Sequence, residues 1–404
     1  MKKLLLGSTM LVAAALSAAP AYAQAQRNAA TSAAPFSVNL RGYSTFAFQI
    51  ANHDRDADLR SHDMLDDTRL TVNVEARSDN GLTYGFMHRL RLVPAGSRSD
   101  FQNDRNFLYL RSASFGEVIL GTHPNAVDNS MAPPTLYGPA TGLGVYADGG
   151  FAEFAAGSLY AQAGTARLTY GMSKFSGVTA TQVMYTTPTF SGFSFSASYS
   201  ADSERGRSTD RNERQTSTGS TEIGNAGTEN LFAAALNYSG SFSGIGIGAG
   251  VGVNVAGAKD RLGGLVTNRE YENVVGWTFR LSATYAGFTL YGNYAYDGDS
   301  GYAKRLASEG AAVRVDNDSA YGYNIGLGYV TGPIAVGVSY GYGKTEGDVL
   351  IGGDDTLSVL NVGGHYTLVP GLMLFGGVEF FSAKNEGAKQ NDGTVITLGT
   401  HLRF

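Results

Sequence analysis

Four arginines near the start of the chain fall where period-two alternation places them on one face of neighbouring strands: Arg41, Arg69, Arg89 and Arg91. Guanidinium groups keep their charge in proteins, so a close row of them repels itself unless water or acids lie opposite. A long connection further along supplies three candidate acids: Asp128, Asp148 and Glu153. The role predicted for these residues is electrostatic, because facing charges of opposite sign would create an electric field across the space between them.

Two serines have neighbours like those of a hydrolase nucleophile. Gly337-Val-Ser339-Tyr-Gly341 fits the nucleophile-elbow pattern, and Gly298-Asp-Ser300-Gly301 is similar to a serine-protease segment. Ser339, however, stands inside an alternating run rather than between a strand and a helix. A catalytic triad also needs a histidine beside a carboxylate, and the six histidines form no recognisable cluster in the sequence. We therefore predict no catalytic residue.

The sequence predicts neither a metal site nor a cofactor. The chain has no cysteine, which excludes thiolate ligands and disulfides. The acid-rich stretch from His53 to Asp67 leaves one alternative, a Ca²⁺ site or divalent bridging to lipopolysaccharide. It is not an EF-hand, since Leu59 replaces the turn glycine and Leu65 replaces the bidentate glutamate. A solvated loop is the preferred interpretation.

Strands with one apolar and one polar face carry these residues. The last is Thr394-Val-Ile-Thr-Leu-Gly-Thr-His-Leu-Arg-Phe404, which ends on an aromatic residue as outer-membrane β-barrel chains do. On the first predicted strand, Phe46 and Ile50 share one face while Arg41 and Gln49 share the other. A dry protein core would not accept the repeated arginines of the polar faces. We therefore predict apolar faces turned outward to lipid and polar faces turned inward to water.

The connections between the strands alternate between long and short. We predict sixteen strands joined by seven tight turns and eight long connections: 51–67, 94–102, 124–176, 202–229, 259–272, 298–318, 345–354 and 383–392. One rim of hairpins and one rim of large loops is the pattern of a transmembrane antiparallel β-barrel. The ninth strand, 244–255, alternates glycine with apolar residues, which predicts a smooth inner wall or the close approach of another backbone.

The N-terminus reads as a secretory signal peptide, 1–23. Lys2 and Lys3 precede an apolar run, and Ala21-Tyr22-Ala23 forms the cleavage site. Residues 24–36 would form a periplasmic segment and residues 37–404 the barrel. Cleavage leaves 28 basic and 35 acidic residues, a net charge of −7, which argues against a nucleic-acid partner. No later apolar run is long enough for a membrane helix.

Several segments together resemble a known family. Gln182-Val-Met-Tyr185-Thr-Thr-Pro188-Thr-Phe190-Ser-Gly192-Phe193 is similar to the segment after the third loop of Gram-negative trimeric porins. Asp67-Thr-Arg69-Leu70, Ser114-Phe-Gly116-Glu-Val-Ile-Leu120-Gly121 and Tyr366-Thr-Leu368-Val-Pro-Gly371 match in the same order. The likeness covers essentially the whole mature chain and is strongest to the general-diffusion group of proteobacteria.

The resemblance implies a homotrimer of 16-stranded barrels in the outer membrane, among lipid and lipopolysaccharide. The third loop, here 124–176, would fold into each pore and narrow it, with the arginines and loop acids lining the constriction. The expected function is passive diffusion of small hydrophilic solutes and ions. The alternatives are a substrate-selective porin for a sugar or an anion, an adhesive or structural barrel, and an outer-membrane hydrolase.

Overall fold

Alternating strands account for nearly all of the described chain. The computed structural model describes residues 36–54, 61–92, 101–132, 168–176, 179–202, 228–258, 271–302, 319–346, 354–384 and 390–404. These ranges contain sixteen β-strands and one α-helix. Within them, no helix combines the length and apolar character needed to cross a membrane. All sixteen strands belong to one compact unit, Ser37–Phe404; of the other unit, Met1–Phe36, only Phe36 is described, so the predicted signal peptide lies outside the described residues.

The elements follow one another in the order that the loop pattern predicts. They are β1 (Ser37–His53), β2 (His62–Arg77), β3 (Thr83–Leu92), β4 (Phe101–Ser112), β5 (Gly116–Pro124), α1 (Ala126–Met131), β6 (Thr179–Thr186), β7 (Phe193–Asp202), β8 (Thr228–Phe242), β9 (Ile245–Ala258), β10 (Val274–Tyr285), β11 (Phe288–Gly298), β12 (Ala320–Thr331), β13 (Ile334–Glu346), β14 (Asp354–Val369), β15 (Leu372–Lys384) and β16 (Asn391–Arg403).

The strands form a closed antiparallel barrel. Each strand pairs with its neighbours in sequence, and β1 also pairs with β16, with Ile50 opposite Ile396 and Tyr43 opposite Arg403. Two backbone hydrogen bonds between Gly42 and Phe404, of 2.9 and 3.0 Å, extend this seam beyond the end of β16. Closure satisfies the backbone groups that an open sheet would leave unpaired in lipid.

The two faces of each strand differ as the alternation predicts. On β10, Val275, Trp277 and Leu281 are exposed on the outer face, whereas Gly276 and Thr278 on the inner face are buried. On β1, Phe46 and Ile50 point outward while Gln49, fully buried, points inward. The outer surface of the barrel is therefore apolar and suited to the hydrocarbon of a membrane.

The seven short connections form one rim, and all of them lie in the described residues. Each contains one glycine with positive φ: Gly81, Gly116, Gly192, Gly244, Gly287, Gly332 and Gly371. In Ala286-Gly287 both residues have positive φ, at 48° and 85°, as a type I′ turn requires. This turn type matches the right-handed twist of paired strands, so tight antiparallel hairpins follow from local sequence.

The predicted boundaries of the first long connection are wrong at both ends. The first long connection is shorter than 51–67, because β1 continues to His53 and β2 begins at His62. The acids between 62 and 67 had suggested a loop, but alternation lets a strand carry them, with Asp67 opposite Thr45 on the inner face.

Candidate functional site: the charged inner wall of the pore

The inner face of β2–β4 carries a row of arginines, here called the arginine wall: Arg69, Arg89, Arg91 and Arg105. Arg69 lies directly opposite Arg91 across β2 and β3, and Arg89 lies opposite Arg105 across β3 and β4. Arg41 on β1 shares this face opposite Thr71, and is exposed. The four predicted arginines thus lie on one contiguous inner surface, as their spacing predicts.

Asp67 is the acid that holds part of this wall together. Its carboxylate lies 3.4 Å from Arg69 Nη2 and 3.4 Å from Arg91 Nε. The hydroxyl of Tyr43 donates to the same carboxylate at 2.8 Å, and the Arg69 guanidinium lies over the Tyr43 ring, 5.6 Å from its centroid. One carboxylate thereby offsets the repulsion between two neighbouring guanidinium groups and fixes their direction.

Sequence reasoning missed both Asp67 and Arg105 as members of this site. Four other aspartates precede Asp67 within eleven residues, a composition that predicts a loop rather than a strand. Its spacing of two from Arg69 is the signal that could have placed both on the same face of one strand. Arg105 has the same parity as the buried Tyr109 on β4, so alternation along that strand is the signal that could have placed it on the inner face.

The third loop enters the barrel through a short helix stem, residues 125–132. Asn125 caps helix α1 by accepting a hydrogen bond of 3.0 Å from the backbone N–H of Asp128. The Asn125 amide also donates to the carbonyl of Phe175 at 3.2 Å and to Asn254 Oδ1 at 3.1 Å. The N-terminus of the helix is therefore tied both to the other end of the loop and to the wall.

Helix α1 packs against the inner face of β9, where the sequence alternates glycine with apolar residues. A Cβ atom on Gly252 would lie 2.8 Å from Met131 Sδ and 2.9 Å from a methyl of Val127, closer than side-chain atoms normally approach. Val127 and Met131 are fully buried there. Close packing at this strand therefore comes from helix α1, and the atoms that approach Gly252 belong to side chains rather than to the predicted second backbone.

The loop leaves the barrel through a return stem, residues 168–176. Asn324 on β12 donates to the carbonyl of Thr169 at 2.9 Å. The buried Asp297 on β11 accepts from the Ser173 hydroxyl at 2.6 Å and from the backbone N–H of Lys174 at 2.8 Å. Three strands of the wall, counting Thr278 of β10, thus hold this stem through hydrogen bonds.

The two stems rest on a set of wall residues from β9–β13, here called the loop seat: Gly252, Gly276, Asn293, Gly322, Asn324 and Gly341. In the ring of sixteen strands, β10 and β11 lie eight positions from β2 and β3. The loop seat and the arginine wall therefore occupy opposite arcs of the barrel, with the lumen between them.

The predicted loop acids and Arg280 are placed as follows. Asp128 lies on helix α1, on the side of the loop seat, whereas Asp148 and Glu153 lie outside the described residues. Arg280 faces the lumen and donates to the carbonyl of Ala132 at 3.3 Å. Only one of the three predicted loop acids is therefore placed, and the structure adds Asp67 on the wall itself.

The inner wall is less polar than alternation alone predicts. A cluster of buried apolar side chains surrounds the stems and continues onto β14–β16; it includes Met131, Tyr170, Met172, Leu357, Phe381 and Val395. Burying apolar area stabilises a docked segment by about 25 cal/mol per Å². The inner positions of these strands therefore offer an apolar surface against which an inward-folded loop can dock.

The two serines in hydrolase-like sequence contexts contribute to a strand and to a turn. Ser339 is buried in the middle of β13, opposite Gly326 and Asn361. Ser300 stabilises a turn, since its hydroxyl accepts from Val275 N at 2.9 Å and donates to Val275 O at 3.1 Å. The described residues hold no group of three or more acids and histidines that could bind a metal; the first-loop acids Asp56 and Asp58 lie outside them.

Comparison with known proteins agrees with this architecture. The family model described as Gram-negative porin matches residues 8–386. No curated protein sequence matches the chain significantly. Among solved structures, the anion-selective porin from Comamonas acidovorans superposes with a TM-score of 0.56 at 18 % identity, covering 92 % of this chain and 100 % of the other. OmpT of Vibrio cholerae superposes with a TM-score of 0.56 at 14 % identity, covering 93 % of this chain and 99 % of the other. A mutant porin of Rh. blastica superposes with a TM-score of 0.53 at 15 % identity, covering 91 % of this chain and 100 % of the other. The chain belongs to the Gram-negative porin family and is a passive diffusion channel of the bacterial outer membrane.

Proposed function

We propose that the constriction of this channel lies between the arginine wall and the third loop, and that it favours small hydrophilic anions. Arg41, Arg69, Arg89 and Arg91 would supply the positive side, and Asp128, Asp148 and Glu153 the negative side. The observation that carries the proposal is the cross-strand row of arginines opposite the two loop stems. Asp67 contacts two of these arginines, Arg69 and Arg91.

The mechanism is passive and electrostatic. Opposed charges across a narrow aqueous gap orient water and dipolar solutes, so an apolar solute must displace ordered water without compensation. A surplus of guanidinium groups lowers the energy of an anion at the narrowest point and raises that of a cation. The relative from Comamonas acidovorans is described as anion-selective, which is in line with this preference.

The test is a pair of substitutions that removes charge without touching Asp67's contact with Arg69. In planar bilayers under a salt gradient, the wild-type reversal potential should have the sign of anion preference. Replacing Arg89 and Arg91 by alanine should raise single-channel conductance and move the reversal potential towards cations. Arg111→Ala is the matched control, because Arg111 is exposed and paired with Glu117 near a turn. Identical reversal potentials for wild type and double variant would refute the assignment.

Substrate selection and catalysis are the competing functions. A selective porin would show conductance that saturates with salt or is blocked by one sugar or anion, whereas a diffusion pore conducts in proportion to salt. We propose that the protein has no catalytic activity. Two observations support this. Ser339 lies in the middle of a strand, and the Ser300 hydroxyl both accepts a hydrogen bond from Val275 and donates one to it.

We further propose that three copies assemble through the outer face of β3–β6. A row of polar side chains crosses this face in register, formed by His88, Asn106, Thr122 and Thr181. Each lies five or six residues from a short turn, near mid-height of the barrel, where polar groups facing lipid are unfavourable. Contact with another protein surface would remove that cost. OmpT of Vibrio cholerae has a structure described as a trimer form. Lipid and lipopolysaccharide would cover the remaining outer face.

A further inference from the structure

We propose that the glycines of the loop seat set the width of the pore, by fixing how close the return stem lies to the inner wall. The proposal rests on the diffusion-channel activity, and concerns residues on the arc opposite the arginine wall. Hydrogen bonds pull the stem towards the wall, and backbone contact at two glycines stops it. The balance between these two determines how far the loop extends into the lumen.

Backbone contact at Gly322 and Gly341 provides the stop. A Cβ atom on Gly322 would overlap the carbonyl oxygen of Leu168, and a Cβ atom on Gly341 would overlap the carbonyl oxygen of Thr169. Both obstructing atoms belong to the backbone of the return stem, so no side-chain rotation can relieve the overlap. The stem would have to retreat by about 1 Å to restore an ordinary separation of about 3.5 Å.

The pull comes from hydrogen bonds beside these glycines. Asn324 lies opposite Gly341 across β12 and β13 and holds the carbonyl of Thr169. Its amide oxygen is fixed in turn by the Tyr291 hydroxyl at 2.6 Å, so the amide cannot rotate to follow a displaced stem. Asp297 holds the stem at Ser173 and Lys174. These hydrogen bonds therefore hold the return stem at one distance from the inner wall.

The wall is the stiffer partner in this contact. Each strand of the seat is hydrogen-bonded to a neighbour on both sides, from β9 to β13. The return stem forms a turn at residues 169–171 and has no such ladder. An added methyl group should therefore displace the stem into the lumen rather than bend the barrel outward.

The helix stem makes a softer contact. A Cβ atom on Gly252 would meet the ends of the Met131 and Val127 side chains, which can move. Replacement by alanine should therefore displace the loop further at Gly322 and Gly341 than at Gly252. Gly292 on β11 offers a control for the glycine-to-alanine change itself, because it lies on the outer face and the nearest atom to an added Cβ is 3.8 Å away.

The experiment measures single-channel conductance of the refolded porin and the swelling of liposomes in uncharged sugars of increasing size. Gly322→Ala and Gly341→Ala should lower conductance and the size of the largest sugar admitted, while Gly292→Ala should match the wild type. Ser173→Ala removes a bond that pulls the stem towards the wall, without adding bulk. It should therefore also lower the conductance and the size of the largest sugar admitted.

The outcomes separate this inference from the channel function itself. If the wild type conducts but Gly322→Ala, Gly341→Ala and Ser173→Ala are all indistinguishable from it, the seat does not set the pore width. If Ser173→Ala conducts as well as the wild type, the proposed pull is wrong even where a glycine-to-alanine variant fails to fold. A wild-type barrel that does not conduct would instead contradict the channel.

Discussion

Asp67 balances the charge of the arginine wall at the level of a single residue. Its carboxylate contacts Arg69 and Arg91, and both it and Arg91 retain about a fifth of their side-chain exposure. Asp67→Asn should lower the free energy of unfolding by about 1–2 kcal/mol, since hydrogen bonds to charged groups contribute on that scale. It should also increase anion preference, because one negative charge beside two guanidinium groups is removed.

Urea unfolding and reversal potentials of the refolded protein measure these two effects. Asp66→Asn is the control, because Asp66 is the next residue along β2 but is exposed on the outer face. We expect Asp66→Asn to leave both quantities unchanged. An Asp67→Asn channel with wild-type ion preference would mean that Asp67 lies outside the part of the lumen that selects ions.

Helix α1 shows how an element depends on its surroundings. Six residues are too few for a stable helix in water, so the caps and the seat must hold it. Asn125→Ala removes the N-cap together with bonds to Phe175 and Asn254, and should weaken the docking of the stem by about 1–2 kcal/mol. Faster hydrogen exchange of the α1 amides and noisier channel currents should follow.

The strands should remain protected in that variant, because their ladders do not involve Asn125. Asn129→Ala, at an exposed position of the same helix, serves as the comparison. Equal exchange rates in the two variants would show that the seat alone holds the helix.

Most of the elements could be predicted from sequence, and the reasons are local. Alternation assigns the faces of β1 and β10, and one glycine in each short turn marks the hairpins. Asp67 escaped because its local composition resembles a loop. The loop seat escaped for a different reason. Its contacts join residues far apart in the chain, such as Asn324 with Thr169, and no local pattern specifies such a partner.

The whole barrel has two kinds of outer surface. The polar row on β3–β6 contrasts with β10–β12, whose outer face carries residues such as Trp277, Leu281 and Ile325. If copies meet at the polar row, Thr181→Trp should clash there and convert trimers to monomers. Ile325→Trp should keep the trimer, because fluid lipid accommodates a larger apolar side chain. Light scattering in detergent distinguishes the two states.

Both variants should give barrels with native strand content, as circular dichroism would report. A Thr181→Trp protein that remains fully trimeric would remove β3–β6 from the interface. Trimer loss in Ile325→Trp alone would move the interface to the opposite arc.

The docking of the third loop also determines the order of events during biogenesis. The partners of its stems come much later in the chain: Asp297 follows Ser173 by 124 residues, and Asn293 follows Met131 by 162. These bonds cannot form before β11 has been synthesised, exported and paired. Long-range contacts of this kind carry a large loop-closure cost and form slowly. The pore of a barrel during assembly is consequently wider than that of the finished barrel. The third loop can narrow it only after most of the strands that form the wall are in place.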